Sequence, residues 1–328
     1  MKRISLELGG GGRLMRDFIA EHVLPTFGNP ILSELADSGL LPGGIALTTD
    51  SYVVDPLFFS GGDIGRLAVN GTVNDLVVSG AAPRYLSLAL ILEEGLEWDL
   101  LEKVLKSIRA AARRAGVRIV TGDTKVVPQG QGDKIFINTA GVGKSVGRPA
   151  VARIRPGDKL ILSGTLGDHS LAVLMARGDF GITSRVRSDC APLLFLLPLW
   201  KRGALWMRDV TRGGLATVLF ELAERLPYPV LIEEGRIPLS KTVRGASELL
   251  GIDPLYMACE GKAVVVAPRR QAEDFLRRIR RHPLGRRAAI IGEVQDKVGR
   301  PGELLLATVS GGLRLLEPLT SELLPRIC

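Results

Sequence analysis

Apolar positions along this chain switch repeatedly between a two-residue and a helical period, in an order that predicts a mixed α/β protein built in two passes. Ile45-Ala46-Leu47-Thr48-Thr49 reads as a short strand with Asp50 at its C-terminal end. Ile64 to Ser79 follows the helical pattern and carries Asn74 and Asp75. Tyr85 to Leu92 is a continuous apolar run, the pattern of a strand covered on both faces. From Trp98 to Ala115, Leu101, Leu105, Ile108 and Ala112 recur at helical spacing and predict a core-facing stripe, with Gly116 as the stop. Val117 to Val120 is the next strand, ending at Gly122-Asp123-Thr124-Lys125, and Ile135 to Val142 is another.

The pattern restarts around Arg153 to Asp158. Lys159 to Leu162 reads as a strand leading into Ser163-Gly164-Thr165-Leu166-Gly167-Asp168-His169, and Asp209 to Gly214 opens a helix with Leu215, Val218, Leu219 and Leu222 inward. A strand near Val230 to Ile232, a helix near Val243 to Leu250, a strand from Lys262 to Val266, a helix from Gln271 to Arg281 and a late strand from Ile290 to Val294 follow. The fold class read from this order is α/β with α+β mixing, in two domains, 1–153 and 154–316, and a flexible tail, 317–328.

Composition narrows the function classes. The chain has 328 residues, 46% of them hydrophobic, enough apolar content for two cores. A formal net charge of +8 raises the question of nucleic acid. The densest basic cluster, Arg269 to Arg287, interleaves with Phe275, Leu276 and Ile279 at helical spacing and reads as a helix with a solvated basic face. No aromatic-rich RNA signature or zinc-finger spacing accompanies it, so no nucleic-acid partner is expected. Cys190, Cys259 and Cys328 imply no disulfide framework and point to a reducing cytoplasm. His22, His169 and His282 are too scattered for a zinc set. No signal peptide is visible, and the greasiest stretch, Cys190 to Trp200, is too short to span a bilayer, so no membrane partner is expected.

Asp50, Asp123 and Asp209 each lie at or just past an expected strand end, where open α/β sheets place ligands. With Asp75 they would suit Mg²⁺, which takes carboxylates together with phosphates; the other reading is four turn caps. Thr211-Arg212-Gly213-Gly214 sits at a helix start, where backbone N–H groups and a guanidinium attract phosphate, or where the segment simply caps the helix. Gly9 to Gly12 reads as a phosphate-wrapping loop or a plain leader; no Gly-Lys-Ser/Thr follows, so it is not a P-loop. Lys125 and Glu260 are candidates for proton transfer if their pKa values are shifted, and otherwise are surface charges. Cys328 closes the tail, and a thiol there could itself enter an active site as substrate.

Several of these segments together carry a resemblance over nearly the whole length: Thr49-Asp50-Ser51-Tyr52-Val53-Val54-Asp55-Pro56-Leu57-Phe58-Phe59, Val120 to Val127, Ser163 to His169, Glu260-Gly261-Lys262, His282-Pro283-Leu284-Gly285 and Pro325-Arg326-Ile327-Cys328. In these the chain resembles the HypE family of hydrogenase maturation factors, in the superfamily of aminoimidazole ribonucleotide synthetase. The resemblance implies a two-domain PurM-like fold and an ATP-dependent dehydration. A carbamoyl group loaded on Cys328 by the carbamoyltransferase HypF would become a thiocyanate, whose cyanide passes to a HypC–HypD scaffold complex.

It further implies a homodimer, with the first domain binding ATP and dimerising, and gives the site residues their expected roles. Cys328 is the carrier, with Lys125 and Glu260 near its reactive group. Gly11, Gly12, Asp50, Asn74, Asp75, Asp123, Thr211, Arg212, Gly213 and Gly214 hold the nucleotide, and Asp50, Asp75, Asp123 and Asp209 hold Mg²⁺. Two positions depart from the family pattern: Leu8 stands where a leader histidine is usual, and Cys259 where an asparagine commonly precedes Glu-Gly-Lys. The alternative within the superfamily is an ATP-dependent small-molecule enzyme of the thiamine monophosphate kinase or selenophosphate synthetase kind.

Overall fold

The structure is a computed structural model that describes residues 3–178, 184–319 and 326–328. A leader helix α1 (Arg13–Phe18) runs through a wider turn over Ile19–Val23 into α2 (Leu24–Phe27). The first pass then builds β1 (Gly39–Leu41), β2 (Ile45–Tyr52), the hairpin β3 (Phe58–Phe59) and β4 (Gly62–Asp63), α3 (Ile64–Val78), β5 (Ala81–Glu93), α4 (Trp98–Ala115), β6 (Arg118–Val127) and β7 (Ile135–Ser145). The second pass builds β8 (Lys159–Leu162), α5 (Asp168–Arg177), α6 (Leu197–Trp200), β9 (Trp206–Asp209), α7 (Gly214–Glu224), β10 (Val230–Glu233) and α8 (Lys241–Leu250). It ends with β11 (Ala263–Ala267), α9 (Ala272–Arg281), β12 (Ala289–Val294), β13 (Leu304–Ala307) and β14 (Leu313–Leu316).

Each pass makes one mixed sheet. The first has five strands in the order β1-β2-β7-β5-β6, antiparallel except for the β5–β6 pair. The second has seven, β14-β13-β10-β12-β8-β11-β9, with β10 and β13 parallel. The α3 helix lies between them: it packs on β2, β7 and β5 of the first sheet and on edge strand β9 of the second. That position explains why α3 is buried nearly all round rather than on one stripe. Gly71 on α3 is a close-approach glycine, since a Cβ there would stand 2.1 Å from the Tyr52 hydroxyl. Trp200 pins the second pass to the same helix by donating its ring N–H to Val77 O at 2.9 Å.

Several expectations hold to the residue. The α4 helix spans Trp98–Ala115 and stops at Gly116 in the left-handed conformation. Leu215, Val218, Leu219 and Leu222 face inward on α7, and Phe275, Leu276 and Ile279 on α9.

Others need correction. The stripe on α4 is Leu101, Val104, Ile108, Ala111 and Ala112, and Leu105 points outward. The strand read as Val117 to Val120 continues through the Gly122-Asp123-Thr124-Lys125 segment to Val127. Strand β5 is not covered on both faces, because helices pack on one side only and Tyr85 and Ile91 are exposed on the other. The short strands β1, β3, β4, β13 and β14 carry too few alternations to announce themselves. Residues 320–325 of the expected tail lie outside the described residues.

Candidate active site

The two sheets and the leader meet around a cavity of about 250 Å³ whose lining includes Gly11, Asp50, Tyr52, Asp75, Asp209, Thr211, Arg212, Glu260 and Cys328. They arrive on several different elements. Along β2, Ala46, Thr48 and Tyr52 face inward, and Asp50 shares their phase, so the strand's own alternation aims its carboxylate at the cavity. Asp75 projects from α3, where Thr48 Oγ1 donates to its Oδ2 at 2.8 Å. Asp209 is the last residue of β9, Arg212 lies on the turn into α7, and Glu260 precedes β11. The leader closes one side. Arg212 Nη1 donates to Gly9 O at 3.1 Å, and a Cβ on Gly11, whose φ is +72°, would meet Arg212 Cβ at 2.9 Å. A larger cavity of about 1080 Å³ adjoins it among the leader, the first sheet, β9 and α7, lined in part by Ile31, Leu35, Arg208 and Glu221.

The electrostatics are those of crowded acids. Burial first, then Asp209, Asp50 and Asp37, push Asp75 well above the usual carboxylate range. Burial and then Asp37 do the same to Asp209, and burial raises Asp50. Glu260, 3% exposed, is pushed well up by burial and by Asp209, Asp50 and Asp189. Arg208 offsets part of this charge through Asp37 at 2.9 Å and Glu221 at 3.1 Å. Such a wall of hard oxygens with an arginine beside it suits a cation bound together with phosphates. Among the described residues, no three His, Cys, Asp or Glu side chains are close enough to hold a metal ion by themselves. An ion here would take one or two carboxylates and complete its shell with phosphate and water.

Behind the cavity, Glu260 is held by its backbone. Its N–H donates to Asp189 Oδ1 at 3.0 Å, and the second oxygen of Asp189 accepts from Lys262 Nζ at 2.9 Å. Cys259 Sγ accepts from Gly167 N at 3.3 Å, so the thiol that stands for the expected amide still bonds a neighbouring loop.

Not every expected residue comes here. Asn74 is 1% exposed and does not line the cavity. Its Nδ2 donates to Ala191 O and Glu260 O at 3.2 and 3.3 Å, and its Oδ1 accepts from Leu193 N at 2.8 Å. This asparagine braces the site from behind the cavity. Gly12 caps α1, and Gly213 and Gly214 start α7, Gly214 packed against the Leu255 and Tyr256 backbone. Asp123 and Lys125 are outside the cavity altogether: they sit on edge strand β6, bound to each other at 3.1 Å with side chains 61% and 70% exposed. Hydrogen bonding from Lys125 and the Thr124 N–H holds Asp123 below the usual carboxylate range.

Asp37, Arg208, Tyr52, Asp189 and Lys262 were not foreseen as site residues. Lys262 and Tyr52 lie in segments that carry the family resemblance, Glu260-Gly261-Lys262 and Thr49 to Phe59; Asp37, Arg208 and Asp189 carry no local signal.

Comparison with known proteins agrees with this architecture. Residues 36–145 match the model of the AIR synthase related protein N-terminal domain, and residues 155–301 that of the C-terminal domain. Carbamoyl dehydratase HypE of Rhodobacter capsulatus is 45% identical over all of this chain and 98% of its own. The crystal structure of the hydrogenase maturation protein HypE in complex with ATP is 47% identical over 99% of this chain and all of its own, with a TM-score of 0.83. The HypE–HypF complex contains a chain 42% identical over 92% of this one and 99% of its own, with a TM-score of 0.86. With both domain models matched and identity of this order from end to end, the chain belongs to the HypE carbamoyl dehydratase family of AIR synthase related proteins.

Proposed function

We propose that this chain uses ATP to dehydrate a carbamoyl group carried on the sulfur of its own Cys328, leaving S–C≡N as a cyanide donor for nickel–iron hydrogenase. The observation that carries the reading is that Cys328 lines the same cavity as Asp50, Asp75, Asp209, Arg212 and Glu260. A small-molecule kinase of the same fold has no use for a thiol there.

In the first half-reaction the carbamoyl oxygen attacks the γ-phosphorus of ATP, ADP leaves, and one N–H proton is lost. In the second the C–O bond breaks, phosphate departs with the oxygen, and the second N–H proton is lost as the C≡N bond forms. Phosphoryl transfer needs alignment and charge neutralisation more than covalent help. Arg212 and the first turn of α7 would face the phosphates, and the leader around Gly11 would close over them. Asp50, Asp75 and Asp209 would hold Mg²⁺, which neutralises phosphate charge when bound. Glu260 would serve as proton acceptor, since its raised pKa makes it a stronger base than an ordinary carboxylate once ionised. Burial around it excludes the water that would hydrolyse the activated intermediate.

Asp123 and Lys125 fit this scheme from a second subunit. Strand β6 is exposed along nearly its whole length and carries Val120 and Val126, and beside it Tyr85 and Ile91 are uncovered. A homodimer closing over that face would bring the pair toward the partner's site. The remaining partners follow from the family resemblance: HypF for loading, supported by the HypE–HypF complex, and a HypC–HypD complex as acceptor. No helix among the described residues is long and apolar enough to cross a membrane, which is compatible with work in the cytoplasm. The domain limits that go with this reading are 1–153 and 154–316.

The test is the intact mass of the chain after incubation with HypF, carbamoyl phosphate and Mg-ATP. A carbamoyl adduct on Cys328 that loses one water only with ATP is expected, and Cys328→Ala should show neither change. ATP consumption with an unmodified thiol would sink the reading in favour of a small-molecule kinase.

A further inference from the structure

We propose that helix α5 carries a receptor for the segment Arg326–Cys328, with His169 and Arg177 as positioning residues for the Cys328 sulfur. The segment lies beside Val53–Asp55 in a fixed register: Asp55 N donates to Arg326 O at 3.2 Å and Val53 N to Cys328 O at 3.2 Å. Carbonyls alternate along an extended chain, so the one between them points the other way. That carbonyl, Ile327 O, accepts from His169 Nε2 at 2.8 Å.

The ring is built to donate there. Ile327 O can only accept, so Nε2 carries the hydrogen and Nδ1 accepts from the Ser188 hydroxyl at 2.9 Å. Ser188 Oγ is itself fixed by the Cys190 N–H at 3.1 Å, and Phe59 packs edge-on against the imidazole at 5.4 Å. Two turns further along α5, Arg177 ties both chains together. Its Nε donates to Asp55 O at 2.9 Å and its Nη2 to Arg326 O at 2.8 Å.

Side chains complete the recognition. Ile327 is 3% exposed and belongs to the main core cluster. Arg326 donates from Nε to Val53 O at 2.9 Å and pairs with Asp133 at 2.5 Å. The site therefore takes a short peptide with a basic residue in the left-handed conformation (φ 53°), then a branched apolar residue, then cysteine. A one-residue slip along Val53–Asp55 would shift the sulfur by about 3.3 Å and turn Ile327 out of the core. The reactive atom is thus placed by main-chain register, which His169 holds from the side opposite the ladder and Arg177 holds at the carbonyls of Asp55 and Arg326. What this means for catalysis rests on the function proposed above; the receptor itself does not.

The experiment is the rate of iodoacetamide labelling of Cys328 in the full chain without nucleotide, with adducts mapped by peptide mass. Cys190 and Cys259 are wholly buried and report on whether the fold stays closed. His169→Ala and Arg177→Ala are each expected to speed Cys328 labelling about tenfold, the equivalent of one lost hydrogen bond of about 1.4 kcal/mol. His169→Gln, which can donate from the same side, should stay near the original rate. In the loading and dehydration assay, His169→Ala should load carbamoyl at least as fast while dehydrating more slowly; a merely structural lesion would slow both.

Unchanged Cys328 labelling in His169→Ala with Cys190 and Cys259 still silent overturns the proposal. If those two cysteines label as well, the same question is put from the ligand side with Ile327→Asp. A tenfold rise there supports the receptor and no change overturns it. Because labelling needs neither ATP nor a carbamoyl donor, a failed dehydration assay with responsive labelling would remove the proposed reaction and leave the receptor standing.

Discussion

Asp50 and Asp123 look alike in sequence, each in a strand next to a threonine, yet they end in opposite surroundings. Asp50 lies on β2, which pairs with β1 and β7 and packs against α3, and burial raises its pKa. Asp123 lies on edge strand β6 with only β5 beside it, and Lys125 lowers its pKa. The lysine–aspartate pairs repeat the contrast. Lys262–Asp189 is enclosed, with side chains 7% and 5% exposed, whereas Lys125–Asp123 stands in solvent. Composition makes these pairs equivalent; sheet position makes one an internal brace and the other a loosely held surface pair.

The sharpest way to break the contrast is Asp189→Asn. It leaves Lys262 charged, buried and without its counter-ion, and should cost about 3–5 kcal/mol in urea unfolding. A loss below about 1 kcal/mol would mean the enclosed pair behaves like a surface pair.

Smaller and of opposite sign is Asp75→Asn. Asp75 has a folded pKa above its unfolded value, so its ionised form opposes folding at neutral pH, and the penalty fades as pH falls below the ordinary carboxylate range. The variant should therefore gain about 2 °C in Tm at pH 7 and nothing at pH 3, measured without nucleotide. On the proposed function it should also lose ATP turnover by about a hundredfold, separating stability from activity at one position.

The smallest stability effect belongs to Asp123→Asn, which should leave the urea midpoint where it is, since the carboxylate is exposed and its partner is solvated. If the homodimer proposed above forms over β6, the same variant still lowers dehydration, and mixing it with Glu260→Gln subunits should restore part of the activity. An unfolding midpoint that moves with Asp123→Asn would contradict the solvated character of that pair.

Local pattern carried much of the architecture. The extent of α4 and its glycine stop, the inward face of α7 and the basic outer face of α9 are all written in neighbouring residues, and the helices follow them. Asp50, Asp75, Asp209, Arg212, Glu260 and Cys328, legible as candidates from strand ends and motifs, do meet in one cavity. What could not be read is which face a residue takes when that depends on a distant partner. Asn74 follows the helical pattern like Asp75, but only the arrival of Ala191, Leu193 and Glu260 turns its amide inward. Asp189, His169 and Asp37 have no neighbours in sequence that hint at their contacts. That the Gly122-Asp123-Thr124-Lys125 segment continues as an edge strand could not be read either, because edge position is a property of the whole sheet.

The asparagine brace has a mechanical consequence. Asn74 sits one residue before Asp75 and grips the backbone of Glu260 and of the 191–193 segment. The two acidic walls are thereby yoked, and they cannot relieve their mutual repulsion by drifting apart as two loops would. A rigid acidic cleft has only two outlets for that tension, a proton or a positive ion. The cleft is in this sense cocked: its framework keeps the carboxylates crowded, so an arriving cation meets a geometry that is already set.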